Sequence, residues 1–316
     1  MTILDLSEKE FNEAKEVINY FINNDEFQTG DKFISTIEGK AGCIFRGQSN
    51  SDWPLIPTAF REETEWSKFT PQPPIETQDT KRWLLKKLHA EAIAIDLFLE
   101  TADSLGITTP IDYEIKQRGL ESIFNARGKV LDKKKELDFD KIFPTNDYFR
   151  SIALAQHCGV PTRFLDWSES PLVACYFAAE QASCLSNSSC SPLKSSSNHI
   201  AIYHFNIWHI ENNGPIEIIK APRHENTNLL SQKGLFVNFK KANSYFLKNK
   251  KWPDLYEYYP QLQINKVLLP KNKSDDLLRL LFDLGVTRQS LTPSLINAAK
   301  AYEYKYKLFN KKCVGK

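Results

Sequence analysis

Apolar side chains recur along this chain with two different periods, and the change of period predicts where helices give way to strands. Residues 81–105 repeat at helical spacing, and Gly106 follows as a natural stop. The pattern predicts a second helix over 145–158. A third follows Ser168, which we expect to be its N-cap, with Pro171 tolerated in its first turn. Together these segments predict a helix-rich front half.

The two ends of the chain also show helical periodicity. Ser7 and Glu10 form a capping-box pattern, which predicts a helix that begins near Ser7 and stops near 23–25. Near the other end we expect helices over 275–284 and 293–306. Short apolar runs typical of strands lie between these helical regions. They are Thr162–Trp167, Ile200–Phe205, Ile216–Ile219, Leu235–Phe239 and Ile264–Leu269.

This order of elements is typical of an α+β domain with a mixed or antiparallel sheet, because strands and helices do not alternate regularly. We expect residues 1–39 to be an N-terminal helical segment and residues 40–300 to be the main domain, with a helical insert at about 60–145. Residues 183–197 are rich in serine and predict an exposed, mobile loop, and 301–316 form a basic tail.

Charge and cysteine usage narrow the functional classes. Lys and Arg total 41 against 39 acidic residues, so bulk charge points to neither a nucleic acid nor a membrane. The 6 cysteines are scattered without a CxxC pair, and we expect no metal. The acidic start does not resemble a signal peptide, and no apolar run approaches the ~20 residues that span a bilayer. These features predict a cytoplasmic protein with reduced thiols.

Two runs carry polar residues that a core tolerates poorly. His157, Arg163 and Asp166 crowd around one predicted strand, and Arg46 ends an apolar run upstream. Burying such groups without partners costs several kcal/mol. We therefore expect the two strand ends, together with the run at Gln232, to line one shared cleft.

The same runs carry a resemblance to a known family. The turn Phe45-Arg46-Gly47, followed by Trp53-x-Leu55-x-Pro57, resembles the signature of the FRG domain, which is named for its Phe/Tyr-Arg-Gly motif. The central motif of that family is matched from Gln156 to Ala178. Weaker matches complete a resemblance over about residues 40–300. They are Gln232–Phe236, Leu284–Val286 and Pro293–Leu295.

The layout is also similar to that of mono-ADP-ribosyltransferases, which implies a split-sheet core and NAD as a substrate. The resemblance implies that Arg46 binds the pyrophosphate, Ser168 orients the nicotinamide end and Gln232 contacts the ribose. Further residues are implied in NAD binding. They are Gly47, Gln48, His157, Thr162, Arg163, Asp166 and Phe177.

One position departs from the transferase pattern. Gln232 stands where a transferase carries its catalytic Glu, and an amide cannot offer a full negative charge to an oxocarbenium-like transition state. Three nearby carboxylates could substitute only if the fold brings them in. They are Asp166, Glu169 and Glu225. The expected activity is transfer of ADP-ribose to a macromolecule, protein or nucleic acid, or cleavage of NAD. An intracellular effector, toxin or defence protein, with a neutralising partner, fits that activity.

Several of these residues also have a structural interpretation. Arg46 could tie a strand end to carbonyl groups, and His157 is favourable at a helix C-terminus on dipole grounds alone. Trp167 and Phe177 are apolar enough to be packing residues. Arg163 and Asp166 lie three apart on a strand, so they point to opposite faces and need separate partners.

A different class of function comes from residues 240–259. Five lysines and no acidic residue lie between Lys240 and Lys251, and the aromatic residues Trp252, Tyr256, Tyr258 and Tyr259 follow. Basic residues interleaved with aromatic rings can bind single-stranded nucleic acid. The alternative to the enzyme is therefore a non-enzymatic nucleotide- or nucleic-acid-binding module, and a solvated loop explains the same residues without function.

Overall fold

The structure is a computed structural model that describes residues 7–24, 27, 42–107, 109, 137–183, 197–223 and 226–310. Within this part of the chain, seven strands form one mixed sheet. The strands are β1 Glu8–Glu10, β2 Cys43–Gln48, β3 Phe164–Ser168, β4 His199–Asn206, β5 Ile216–Ile219, β6 Gly234–Phe239 and β7 Asn265–Pro270. Their order across the sheet is β1-β7-β4-β2-β3-β6-β5. Strands β1 and β7 are parallel, and the other neighbours are antiparallel.

Eleven α-helices accompany the sheet in the described residues, and short 3-10 helices lie in some of the connecting segments. The helices are α1 Ala14–Asn23, α2 Thr80–Ser104, α3 Phe149–His157, α4 Pro171–Ala182, α5 Thr227–Ser231, α6 Ala242–Asn249, α7 Leu255–Tyr258, α8 Ser274–Asp283, α9 Arg288–Leu291, α10 Leu295–Ala299 and α11 Ala301–Asn310. The expected α+β class with a mixed sheet is confirmed.

The sheet opens in its centre, between β2 and β3. On one side β2 pairs with β4 along its whole length, from Cys43 opposite Asn206 to Gln48 opposite Ala201. On the other side β2 and β3 share a single pair, Phe45 opposite Ser168. The two strands separate beyond that pair, so their polar ends face a gap instead of a hydrogen-bonded ladder.

Helix α4 packs directly on β2 beside this opening. A Cβ atom on Gly47 would lie 1.9 Å from the carbonyl oxygen of Ala174 and 2.7 Å from the backbone nitrogen of Ala178. Only glycine allows the backbones to approach so closely. The helix therefore forms one wall of the opening, and the glycine of the Phe-Arg-Gly turn is explained by packing.

Two apolar cores lie on the two faces of the sheet. One contains α1, α4 and α8, where Val17, Tyr176 and Leu277 are buried together. The other contains α2 and α3 under the second face, with Leu88 and Ile152 fully buried. Helix α2 begins cleanly because the Asp79 side chain accepts hydrogen bonds from the backbone nitrogens of residues 81 and 82.

The second core encloses charged side chains that we call the core ionic cluster, Lys87, Glu91 and Arg163. The Nε atom of Arg163 donates to Glu91 at 2.9 Å, and the two side chains are only 3% and 1% exposed. The Nη1 atom of Arg163 also donates to the carbonyl of Phe143. Arg163 was predicted to complete the NAD pocket. Its side chain instead points into this core, on the face opposite Asp166, as strand alternation requires.

Several element predictions are confirmed, and others are corrected. Helices α2 and α8 match the predicted 81–105 and 275–284 closely. The N-terminal prediction is wrong in its start, because residues 8–10 pair with β7 and α1 begins only at Ala14, after Glu13 as N-cap. Strand pairing across the sheet overrides the local capping signal there.

Near the other end, the single helix predicted over 293–306 is divided into α10 and α11, with Lys300 between them. Other predictions lie outside the described residues. They concern most of the Ser-rich segment (184–196), the part of the insert at 110–136, Glu225 and the end of the tail (311–316). Of the helices that the structure describes, none is both long and apolar enough to cross a bilayer.

Candidate functional site

A cavity of about 290 Å³ lies where β2 and β3 separate, and we call it the split pocket. The polar ends of both strands line it, with one face of α4, the end of α3, and the start of β6. Arg46, Ser168 and Gln232, which are far apart in sequence, all line this pocket. The structure thus brings together the three strand ends that were expected to share one cleft.

Arg46 crosses the opening in place of the missing ladder. Its Nη1 donates to the backbone carbonyl of Asp166 at 2.7 Å and lies 3.8 Å from the carboxylate of the same residue. The Arg46 side chain is 13% exposed, and burial lowers its pKa to about 10, so it stays cationic at neutral pH. Its buried Nε has no hydrogen-bond partner among the described residues.

Asp166 is the carboxylate at the mouth of the pocket, and its side chain is 55% exposed. A second arginine, Arg61, lies within its electrostatic reach. Burial lowers the pKa of Arg61, while the negative charge of Asp166 opposes that change. We call Arg46, Arg61 and Asp166 the pocket ionic cluster. Sequence reasoning missed Arg61, because the loop that carries it has no periodic signal.

Two further residues of the pocket carry buried polar atoms without partners in the described part of the chain. They are the Nε2 of His157 and the Nε1 of Trp167. Burial lowers the pKa of His157, and the nearby Asp166 carboxylate acts in the opposite direction. Trp167 packs edge-on against Phe205, at 4.7 Å between ring centroids, so the packing interpretation of its ring holds as well.

Ser168 and Gln232 are held by the protein itself. The Ser168 hydroxyl donates to the Gln232 carbonyl at 2.7 Å and accepts from the backbone nitrogen of Ser170. Ser170 occupies the N-cap position of α4, so the prediction that Ser168 caps this helix is wrong. Gln232 follows α5 and precedes β6, rather than lying on a strand, and its Nε2 donates to the Leu291 carbonyl.

Three predicted NAD-binding residues have structural explanations. Gly47 lines the pocket, but its missing side chain is what lets α4 approach. Gln48 is buried and donates to the carbonyl of Pro54. Thr162 is buried and donates to the side chain of Gln156. Gln48 and Thr162 do not line the split pocket.

Helix α4 contributes a wall that the sequence foresaw only in part. Phe177 lines the pocket as predicted, together with Ala174 and Gln181. Gln181 was not predicted. It lies four residues after Phe177, hence on the same helical face, and this spacing was the available signal.

The fold places the carboxylates that could replace the catalytic glutamate in different surroundings. Glu169 forms ion pairs with Arg223 at 2.7 Å and with Lys220 at 3.1 Å, and it does not line the pocket. Asp166 is therefore the pocket's carboxylate among the described residues. In the same part of the chain, no cluster of three or more His, Cys, Asp or Glu side chains could hold a metal.

The basic and aromatic segment 240–259 folds differently from the loop that was expected. It forms α6 and α7, and its rings pack inward. Trp252 stacks on Phe60 with centroids 4.1 Å apart and planes 2° apart, and Tyr259 is buried. Rings engaged in this way do not offer free faces to nucleic-acid bases, so the stacking part of that prediction loses its support.

Comparison with known proteins supports one part of the resemblance. Residues 41–186 match the family model of the FRG domain. That range contains Arg46, His157, Asp166 and Ser168, and it ends before Gln232. No curated protein and no solved structure matches the chain. The similarity to ADP-ribosyltransferases therefore rests on the residue pattern alone.

Proposed function

We propose that the split pocket binds NAD and that the protein cleaves it or transfers its ADP-ribose to a macromolecule. One observation carries the proposal. Three buried polar atoms without partners among the described residues, on Arg46, His157 and Trp167, belong to residues around one cavity. Buried polar atoms are normally paired, so unpaired ones around a cavity indicate a ligand that pairs them. Two of the three are N–H donors, which favours a ligand rich in acceptor oxygens.

A diphosphate suits this donor set. Arginine is the preferred partner of phosphate because its planar fork makes two parallel hydrogen bonds, and Arg46 remains cationic at the pocket. The charge of Arg61 adds to the attraction. Low dielectric around a buried guanidinium strengthens each such contact relative to water.

Asp166 takes the role that the resemblance assigned to a glutamate. Loss of nicotinamide builds positive charge on the ribose, and a fixed negative group beside it stabilises that charge. Asp166 lines the pocket, whereas Glu169 is engaged by two cations. Gln232 would then position the ribose through its amide oxygen, which accepts no hydrogen bond from the described residues.

The direct test is to incubate the purified protein with NAD and measure nicotinamide release, while calorimetry measures NAD binding. Arg46→Ala should weaken binding or turnover at least tenfold, because hydrogen bonds to charged groups are each worth about 1.5–3 kcal/mol. Arg46→Lys should restore only part of it, since an ammonium cannot reproduce the fork. Arg279→Ala is the matched control, because Arg279 pairs with Asp276 on α8, outside the pocket.

Two further variants separate binding from chemistry. Asp166→Asn should reduce nicotinamide release more than NAD affinity, whereas Gln232→Glu should raise release if an added carboxylate reaches the ribose. NAD binding without release, in the presence and absence of cell lysate, would favour the non-enzymatic binding module. Absence of NAD binding would refute the proposal. A protein or nucleic-acid acceptor and a neutralising partner stay predictions that the lysate experiment addresses.

A further inference from the structure

A second cavity of about 350 Å³ adjoins the split pocket, and we call it the side cavity. Segment 58–69 and the turn 156–161 form it, and Gln156 and Asp166 line both cavities. Two ligands bound in the two cavities would therefore both lie beside Gln156 and Asp166. Among the described residues that line the side cavity, only these two also line the split pocket.

The side cavity has a mainly apolar lining. Phe69, Val160 and Pro161 contribute side-chain carbon to its wall. Six of the ten lining residues are polar or charged, but the accessible wall is mainly carbon, which is typical of a site for a small organic group. A planar ring fits such walls better than a flexible charged chain does, because it buries apolar area at low entropic cost.

Most polar side chains around the side cavity are already engaged within the protein. Thr58 donates to the carbonyl of Thr162, and Thr64 donates to the carbonyl of Thr58. Gln156 bonds to the carbonyl of Phe164 through its Nε2. Each of these three side chains therefore already donates a hydrogen bond within the protein.

Two charged side chains at the rim of the side cavity neutralise each other, so the Asp166 carboxylate is the charged group that remains to bind a ligand. Glu65 and Lys68 pair at 2.9 Å, with both side chains exposed. The Asp166 carboxylate lies 3.8 Å from Arg46, beyond hydrogen-bond distance, so it can accept a hydrogen bond from a ligand. Because Arg46 and Arg61 offset its charge, the cavity favours a neutral donor over a cation.

We propose that the side cavity binds the acceptor of the transfer, a neutral aromatic ring that carries one hydroxyl group, as in a tyrosine side chain or a small phenol. The acceptor role rests on the proposed function. In the step, the acceptor oxygen bonds to the anomeric carbon of NAD and the glycosidic C–N bond breaks. Nicotinamide leaves with the electron pair of that bond, and the hydroxyl proton passes to Asp166 and then to water.

Binding can be tested without NAD. The probes are N-acetyltyrosinamide and its matched analogue without the hydroxyl, N-acetylphenylalaninamide, followed through the NMR shifts of the Val160 methyl groups. The tyrosine probe should bind about tenfold more tightly, because only it donates to a charged group. In Asp166→Ala the difference between the probes should vanish, whereas in Asp103→Ala, on an exposed turn of α2, it should persist. Equal affinities in the native protein would overturn the proposal.

A substitution that fills the side cavity provides a second, independent test of the binding site. Lys68→Trp places a large ring at the rim of the side cavity and should abolish probe binding, while Lys81→Trp, on the exposed face of α2, should not. Retained binding in Lys68→Trp would place the probe elsewhere and refute the site.

The acceptor role is then tested with NAD labelled in the adenosine half. Labelled N-acetyltyrosinamide should form, and phenol should compete with it; if phenol alone is modified, a small phenol is the source. Nicotinamide release to water without any labelled probe would overturn the acceptor role and leave the proposed function standing. Probe binding without NAD cleavage would refute the proposed function and leave the site standing. If AMP shifts the Val160 methyl groups and the tyrosine probe does not displace it, the cavity holds part of the nucleotide, and the inference fails.

Discussion

The core ionic cluster and the pocket ionic cluster each place two cations around one carboxylate, yet the fold treats them differently. In the core, Glu91 is 1% exposed and contacts Arg163 directly at 2.9 Å. At the pocket, Asp166 is 55% exposed and its carboxylate stands 3.8 Å from Arg46, which bonds to the backbone carbonyl instead. The core pair is closed on itself, while the pocket group is left open to a ligand.

The surroundings of the two arginines explain the difference. The guanidinium of Arg163 bonds through Nε and Nη1 and lies over the rings of Phe60 and Phe143, at 5.4 and 5.1 Å from their centroids. Its Nη2 has no partner in the described residues, so unpaired atoms occur in the core too. The unpaired atoms of the pocket are distinguished by lying on residues around a single cavity. Closure by neighbouring elements, more than residue type, separates a structural ion pair from a binding group.

The largest expected change in stability tests the core ionic cluster. Arg163→Met removes the arginine of a buried pair and leaves the Glu91 carboxylate without its direct hydrogen-bond partner, which costs about 3–5 kcal/mol. Urea denaturation should show this loss in the free energy of unfolding. The double variant Arg163→Met/Glu91→Leu should recover most of it, because the pair is then replaced by apolar groups. If the single variant loses less than about 1 kcal/mol, the ion pair does not stabilise the fold as this comparison requires.

The next largest effect concerns Lys87, whose replacement should stabilise the protein instead of destabilising it. Burial lowers its pKa from 10.5 to about 7, partly offset by Glu91, and its Nζ lies 3.6 Å from the centre of the Trp66 ring. The unfolded chain therefore binds this proton more tightly than the folded one. Its contribution to stability is smallest below pH 7 and rises as the pH increases toward 10.5.

Lys87→Met should accordingly stabilise the protein at pH 7, by an amount on the order of a few kcal/mol. The gain should shrink steadily as both proteins are measured at higher pH, up to about pH 10. Thermal or urea unfolding of the two proteins across this range gives the difference, in which the other titrating groups cancel. A gain that is equal at both ends of the range would show that packing, rather than protonation of Lys87, causes it.

For the pocket ionic cluster we expect a much smaller effect on stability. Arg46→Met removes a cation whose burial already disfavours its charge and whose Nε has no partner in the described part of the chain. Replacing such a group by an apolar one of similar length relieves its burial cost but removes its hydrogen bond to the Asp166 carbonyl, so the free energy of unfolding should fall by no more than about 2 kcal/mol. The same urea experiment measures it. A loss as large as that of Arg163→Met would make Arg46 a structural residue, as one interpretation of the sequence allows.

Sequence patterns predicted the elements better than the roles of individual residues. Long periodic segments such as α2 were placed within one residue, and motif residues on separate strands were correctly expected to converge. The helix start predicted at Ser7 is wrong because a capping box is a local signal, whereas β1 forms only when β7 lies beside it. Pairing between distant segments leaves no trace in local periodicity.

Roles depend on which way a side chain faces and on what closes over it. Arg163 and Asp166 were correctly assigned to opposite faces, but nothing in the sequence says that Glu91, 72 residues away, meets Arg163. Gly47 was interpreted as a ligand contact because the approach of Ala174 is a tertiary contact. Arg61 was missed because its loop carries no periodic signal, whereas the helical spacing from Phe177 to Gln181 was available in the sequence.

The smallest expected effect concerns the electrostatic reach of Asp166. Burial lowers the pKa of His157, and the Asp166 carboxylate opposes this by stabilising the protonated imidazole. Asp166→Asn removes that negative charge, so the pKa of His157 should fall further below 6.5. An NMR titration of the His157 ring protons measures the change, with Glu169→Gln as control, because the Glu169 carboxylate is paired with Lys220 and Arg223. Bound NAD should act in the opposite direction, because its phosphates add negative charge beside the ring. If neither Asp166→Asn nor bound NAD changes the pKa of His157, the imidazole does not share the pocket with them. The pocket ionic cluster would then be closed to a ligand, like the core ionic cluster.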